Sequence, residues 1–131
     1  MENMVFINLP TKNVAAARDF YSGLGFKINE EFSSDDNVFV VLNDSTQLIL
    51  LTEDFLRQHG EKREFADATK VMETSLAVTV GSREKVDTVA DAALAAGGKD
   101  AGKTEEPEMG IYARAFFDLD GHKIDINHMS M

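Results

Sequence analysis

The sequence predicts an α+β fold built from two copies of one β-α-β-β-β pattern. Three observations carry that expectation. Short runs rich in β-formers are interrupted by two longer stripes with helical spacing. The order strand, helix, three strands occurs twice along 131 residues. Each helical stripe also ends on glycines, Gly23 and Gly25 in the first half and Gly97 and Gly98 in the second.

The first predicted strand is Met4 to Leu9, closed by Pro10, which cannot donate to a ladder. Asn13 is placed to cap a helix whose stripe is Val14, Ala17, Tyr21 and Leu24. Strands are expected at Phe26 to Phe32, Val38 to Leu42 and Gln47 to Thr52, separated by turns rich in Ser, Asp and Asn. A short helix from Asp54 to His59 leads into a polar connection. The second copy starts with a strand at Ser75 to Val80. Ser82 then caps a helix with the stripe Val86, Val89, Ala90, Ala93 and Leu94. Strands follow near Asp100 to Lys103, at Ile111 to Phe117 and at Lys123 to His128, and the pair Asp120-Gly121 marks a hairpin between the last two.

One domain, 1–131, is expected, with module one at about 1–60 and module two at about 72–131, since neither half alone buries a core well. Thirteen basic residues against 23 acidic ones give a net charge of −10, which argues against nucleic acid and anionic membrane as partners. The absence of cysteine removes disulfides, thiolate metal sites and cysteine nucleophiles. With no signal-like start and no apolar run long enough to span a bilayer, a cytoplasmic protein is expected.

Three stretches carry a family resemblance. Asn8-Leu9-Pro10-Thr11-Lys12-Asn13-Val14, followed by Asp19-Phe20-Tyr21-Ser22-Gly23-Leu24-Gly25-Phe26, resembles the opening of the vicinal oxygen chelate superfamily, which includes glyoxalase I, bleomycin-resistance proteins, fosfomycin-resistance transferases and extradiol dioxygenases. Phe117-Asp118-Leu119-Asp120-Gly121-His122-Lys123-Ile124-Asp125 is similar to that family's last hairpin, and the helix ending Ala95-Ala96-Gly97-Gly98 matches its second module. The resemblance implies two paired βαβββ modules forming curved sheets around a cleft. It also implies a divalent metal held by His or Glu on the first and fourth strands of each module.

At those positions this chain departs from the family. The first-strand position falls on Phe6, the fourth at or next to Ile49 and the fifth on Ser75; only the eighth, Asp125, keeps a carboxylate. No metal is therefore expected, because one carboxylate does not hold a divalent ion against water. Phe6, Asn8, Ile49, Ser75, Ala77, Tyr112, Arg114, Phe116 and Asp125 are the expected cleft residues. Asp125 can bind a cationic group or act as a base. Arg114, sharing a face with Tyr112 and Phe116, can pair with Asp125 or hold an anionic ligand. His59, His122 and His128 lack metal-ligand spacing and are expected on the surface.

The expected function is metal-independent binding of a small molecule, with drug or toxin sequestration as its role, in a homodimer. A divalent-metal lyase, transferase or dioxygenase of the same superfamily is the first alternative. A non-catalytic interaction module is the second.

Overall fold

The computed structural model describes residues 2–130. They divide into two compact units, with the boundary between Ala66 and Asp67. Each unit is an open, curved four-stranded sheet with a helix packed on one face.

In the first unit, β1 (Val5–Pro10) leads into α1 (Val14–Gly23), and β2 (Lys27–Ile28), β3 (Asn37–Asn43) and β4 (Thr46–Leu51) follow. The sheet order is β1-β4-β3-β2, with β1 parallel to β4 and the other pairs antiparallel. Asn13 caps α1, its side chain accepting the Ala16 N–H at 3.0 Å. At the other end Gly25 takes φ +98, and the Phe26 N–H returns to the Tyr21 carbonyl. A side chain at Gly25 would resist that left-handed turn. Val14, Ala17, Phe20 and Tyr21 on α1 are buried, as are Val38, Val40, Leu48 and Leu50, the alternate residues of β3 and β4. Burying each of the larger side chains contributes roughly 1.5–3 kcal/mol.

The expected strand Phe26 to Phe32 is cut to two residues. Ser33 is the cause: its hydroxyl donates to the Asn29 carbonyl at 2.7 Å and accepts the Phe39 N–H at 3.0 Å. A side chain thus takes the ladder position that a longer β2 would have used. A short helix, α2 (Glu53–Gln58), capped by Thr52, ends the regular structure of this unit.

The second unit repeats the plan. Its elements are β5 (Ser75–Thr79), α3 (Arg83–Ala95), β6 (Lys99–Glu106), β7 (Ile111–Phe117) and β8 (Lys123–Met129), with a 3₁₀ turn at Pro107–Met109. The order β5-β8-β7-β6 mirrors the first sheet, and β5 is parallel to β8. Val86, Val89, Ala90 and Ala93 of α3 are buried, together with Phe116, Ile124 and Ile126 of the sheet it packs on. β6 is longer than expected because β7 offers it a full ladder, although its own sequence is polar. Lys and Glu along it suit a sheet edge. No helix among the described residues is long and apolar enough to cross a membrane.

Candidate functional site

Directly paired residues on neighbouring strands share a face, so register decides which side chains come together. In the first sheet Phe6 lies opposite Gln47, and Asn8 opposite Ile49, which in turn faces Phe39 across β3. Phe6, Asn8 and Ile49 therefore do share a face, the one turned away from α1. Phe39 is its centre. Phe6 approaches it edge-on at 6.3 Å between ring centroids, and Phe32 lies 6.0 Å from it at a tilt. Beside these rings the Asn29 side-chain amide donates to Gln47 Oε1 at 3.3 Å. Phe6 is 46% exposed and Phe32 60%, an unusual outlay of aromatic surface for a small unit.

In the second sheet Ala77 pairs with Asp125, Ser75 with Lys123 and Thr79 with Asn127. These residues share the face turned away from α3. A polar chain runs along it: Thr79 Oγ1 donates to Asn127 Oδ1 at 2.7 Å, and Asn127 Nδ2 donates to Asp125 Oδ1 at 3.3 Å. Since a carboxylate only accepts, the buried Asn127 amide has one orientation, and it steadies Asp125.

Tyr112, Arg114 and Phe116 lie on the opposite face, which corrects the expectation that they line one surface with Asp125. Arg114 pairs with Ile126, Tyr112 with His128 and Phe116 with Ile124, all beneath α3. There Arg114 donates to Asp91 Oδ1 at 2.8 Å and Asp87 Oδ1 at 3.2 Å, and the Tyr112 hydroxyl donates to the same Asp87 oxygen at 2.5 Å. The Tyr112 hydrogen bond, with the Arg114 guanidinium beside it, holds the Asp87 carboxyl below its ordinary range. The same bond raises Tyr112, and hydrogen bonds to Asp91 and Asp87 raise Arg114. Arg83 and Lys103 both lie over the Tyr112 ring, at 4.3 and 5.3 Å from its centroid. These contacts clamp α3 to the second sheet.

The histidines differ from expectation in part. His59 is exposed and stacks on Phe55. His128 sits half-buried with Nδ1 2.9 Å from the Val80 carbonyl. His122 is buried, because the turn from Asp118 to His122 folds back on itself. Asp118 Oδ1 accepts the N–H groups of Asp120 at 3.0 Å and His122 at 2.9 Å. The turn brings ligand atoms of Asp118, Asp120 and His122 within 4.8 Å of one another.

The strand positions where the resemblance implies a metal do not fit one. Phe6 and Ile49 offer hydrocarbon, and Ser75 stands in register with the cationic Lys123. Sequence reasoning missed Phe32, Phe39, Asn29 and Gln47 in the first unit and Thr79 and Asn127 in the second. For Phe39 and Gln47 a signal existed, since period-two alternation puts them in phase with Val41 and Ile49.

Two β-α-β-β-β modules, each with its first and last strands parallel, define the class of fold. The model of the Glyoxalase/Bleomycin resistance protein/Dioxygenase superfamily matches residues 3–126, and the chain belongs to that superfamily. A search of curated proteins finds no match. Among solved structures, a hypothetical protein from S. aureus is 26% identical, with a TM-score of 0.78 over 98% of this chain and 95% of that one. A glyoxalase/bleomycin resistance protein/dioxygenase family enzyme from Burkholderia phytofirmans is 19% identical, with a TM-score of 0.76 over 98% and 100%. A genomically encoded fosfomycin resistance protein from Listeria monocytogenes is 16% identical, with a TM-score of 0.67 over 100% and 96%. The last two likenesses bear on the fold alone.

Proposed function

We propose that this chain binds a small molecule without a metal, as a sequestering member of its superfamily. The observation that carries the reading is the aromatic surface around Phe39, in which Phe6 occupies a position where the family resemblance implies a metal ligand. Rings bearing on an amide pair, Asn29 and Gln47, suit a planar apolar group with a few polar substituents. The net charge of −10 favours a cationic ligand. A homodimer is part of the proposal, and sedimentation of the purified chain tests it.

The experiment is a thermal-shift and calorimetric screen with cationic aromatic compounds and a cationic glycopeptide, run beside elemental analysis of tag-free protein. Binding that weakens steeply with salt, without metal, is the expected result. Failure of every basic ligand to bind overturns it, as does about one metal per chain.

A second reading, a divalent-metal enzyme, is favoured by one observation, the Asp118, Asp120 and His122 group. It requires metal uptake that Asp120→Asn abolishes. Asp125→Ala would leave that metal in place, which separates this group from the family's strand position.

A further inference from the structure

We propose that one end of the second sheet is a separate binding site for a small aromatic monocarboxylate, centred on Phe117 and Lys99. A pocket of about 270 Å³ opens there, lined by Thr69, Gly97, Lys99, Phe117, Asp118 and Leu119 among others. It lies wholly within the second unit. Its volume falls just short of the range for drug-sized ligands, so it suits one ring and one charged group.

Two features give the pocket its chemistry. The first is register. Lys99 pairs with Phe117 across β6 and β7, and Phe117 pairs with Lys123 across β7 and β8. A half-buried phenyl ring is thus flanked by a lysine on each side, one strand spacing away, on a single face. Neither lysine forms an ion pair among the described residues, whereas Arg18, Arg83 and Arg114 are all paired with carboxylates. Both ammonium groups are therefore open to an anion, with the Asp118 carboxylate in the same lining as Lys99.

The second feature is a built wall. Gly121 has φ +92, and a Cβ there would lie 2.8 Å from the Ala68 carbonyl carbon and the Thr69 nitrogen. The absent side chain lets the Ala68–Thr69 backbone lie against the β7–β8 turn and close one side of the pocket.

Two carboxylates border the site. Asp118 lines the pocket with one oxygen accepting two backbone N–H groups, and Asp125 lies two residues along β8 from Lys123, bonded to Asn127. An aromatic monocarboxylate can meet Lys99 and stack its ring on Phe117, a contact that inorganic phosphate lacks. The site shares none of Phe6, Asn8 or Ile49 with the aromatic surface of the first unit.

The test is an amide-resolved NMR titration of the full chain with benzoate, its neutral analogue benzamide and inorganic phosphate. Benzoate is expected to give saturable shifts at Thr69, Lys99, Phe117 and Gly121. Lys99→Gln should weaken it about fivefold and Lys123→Gln about twofold, the range open to partly solvated ion pairs. Lys99 is exposed, so its variant should fold, and the thermal midpoint checks that. Benzamide should bind as weakly as benzoate binds the Lys99 variant. Equal binding of benzoate and benzamide, unchanged affinity in Lys99→Gln, or shifts centred elsewhere would each overturn the site. Saturable phosphate shifts at the same amides would overturn its aromatic selectivity.

Discussion

Replacing Arg114 with methionine should lower stability and leave ligand binding alone. The structure sets the magnitude. The guanidinium bonds two carboxylates, but they are unequally shielded: the side chain of Asp91 is 70% exposed and that of Asp87 is 48% exposed, against 18% for Arg114. Exposed pairs contribute about 0.2–1 kcal/mol, so Asp91 belongs at the low end. Asp87 belongs nearer the top because Tyr112 also holds it in place. Methionine keeps most of the buried aliphatic stem, which leaves an expected loss of about 1 kcal/mol. For a chain of this length that is a fall of roughly 3–5 °C in Tm. Urea unfolding of wild type, Arg114→Met, Asp87→Asn and the double variant should give a coupling of about 0.5–1 kcal/mol. The folded Asp87 carboxyl lies below its ordinary range, so its contribution is complete above the unfolded value of about 3.9. It is lost as pH falls through the folded value, and the gap between wild type and variant should close in acid. An Arg114→Met protein with unchanged stability and weakened ligand binding would refute the placement of this residue beneath α3.

Three further substitutions separate stability from binding. Phe116→Ala removes a fully buried ring from under α3 and should cost about 3–5 kcal/mol in urea unfolding. Gly121→Ala meets both a positive φ and the Ala68–Thr69 backbone and should cost roughly 1–3 kcal/mol, with amide shifts in residues 67–70. Phe6→Ala sits at an exposed position and should cost under about 1 kcal/mol, while weakening any ligand stacked on the Phe39 cluster several-fold by calorimetry.

Much of the fold was legible because the signals were local. Asn13 and Ser82 cap their helices through the N–H groups of Ala16 and Lys85, three residues on, and Gly25 and Gly97 take positive φ just past the helix ends. The apolar stripes of both helices bury the residues their periodicity indicates, Leu24 included and Leu94 excepted, which stays exposed near the end of α3. What failed depended on competition between partners. Ser33 displaced a ladder bond and shortened β2, and β7 recruited the polar β6 along its whole length. Composition does not announce either event, since each turns on which donor reaches an acceptor first in three dimensions.

The misplacement of Arg114 has a similar origin, and it lies in one turn. A two-residue Asp120-Gly121 hairpin would pair Leu119 with His122 and therefore, further along the ladder, Phe116 with Asp125. Arg114 would then share a face with Asp125, as expected from the sequence. The actual turn is longer. Asp118 donates its N–H to the His122 carbonyl at 2.8 Å, and its side chain gathers the N–H groups of Asp120 and His122. The first strand pair becomes Phe117 with Lys123, so Ala115 rather than Phe116 faces Asp125. One step of register exchanges the two faces of β7 relative to β8. Aromatic and charged side chains that would have crowded Asp125 are sent beneath α3, where Asp87 and Asp91 receive Arg114. The small residues Ala113 and Ala115 come to lie beside Asp125 and Asn127 instead. The carboxylate of Asp118, through that turn, thus decides which chemistry the side of the second sheet turned away from α3 carries.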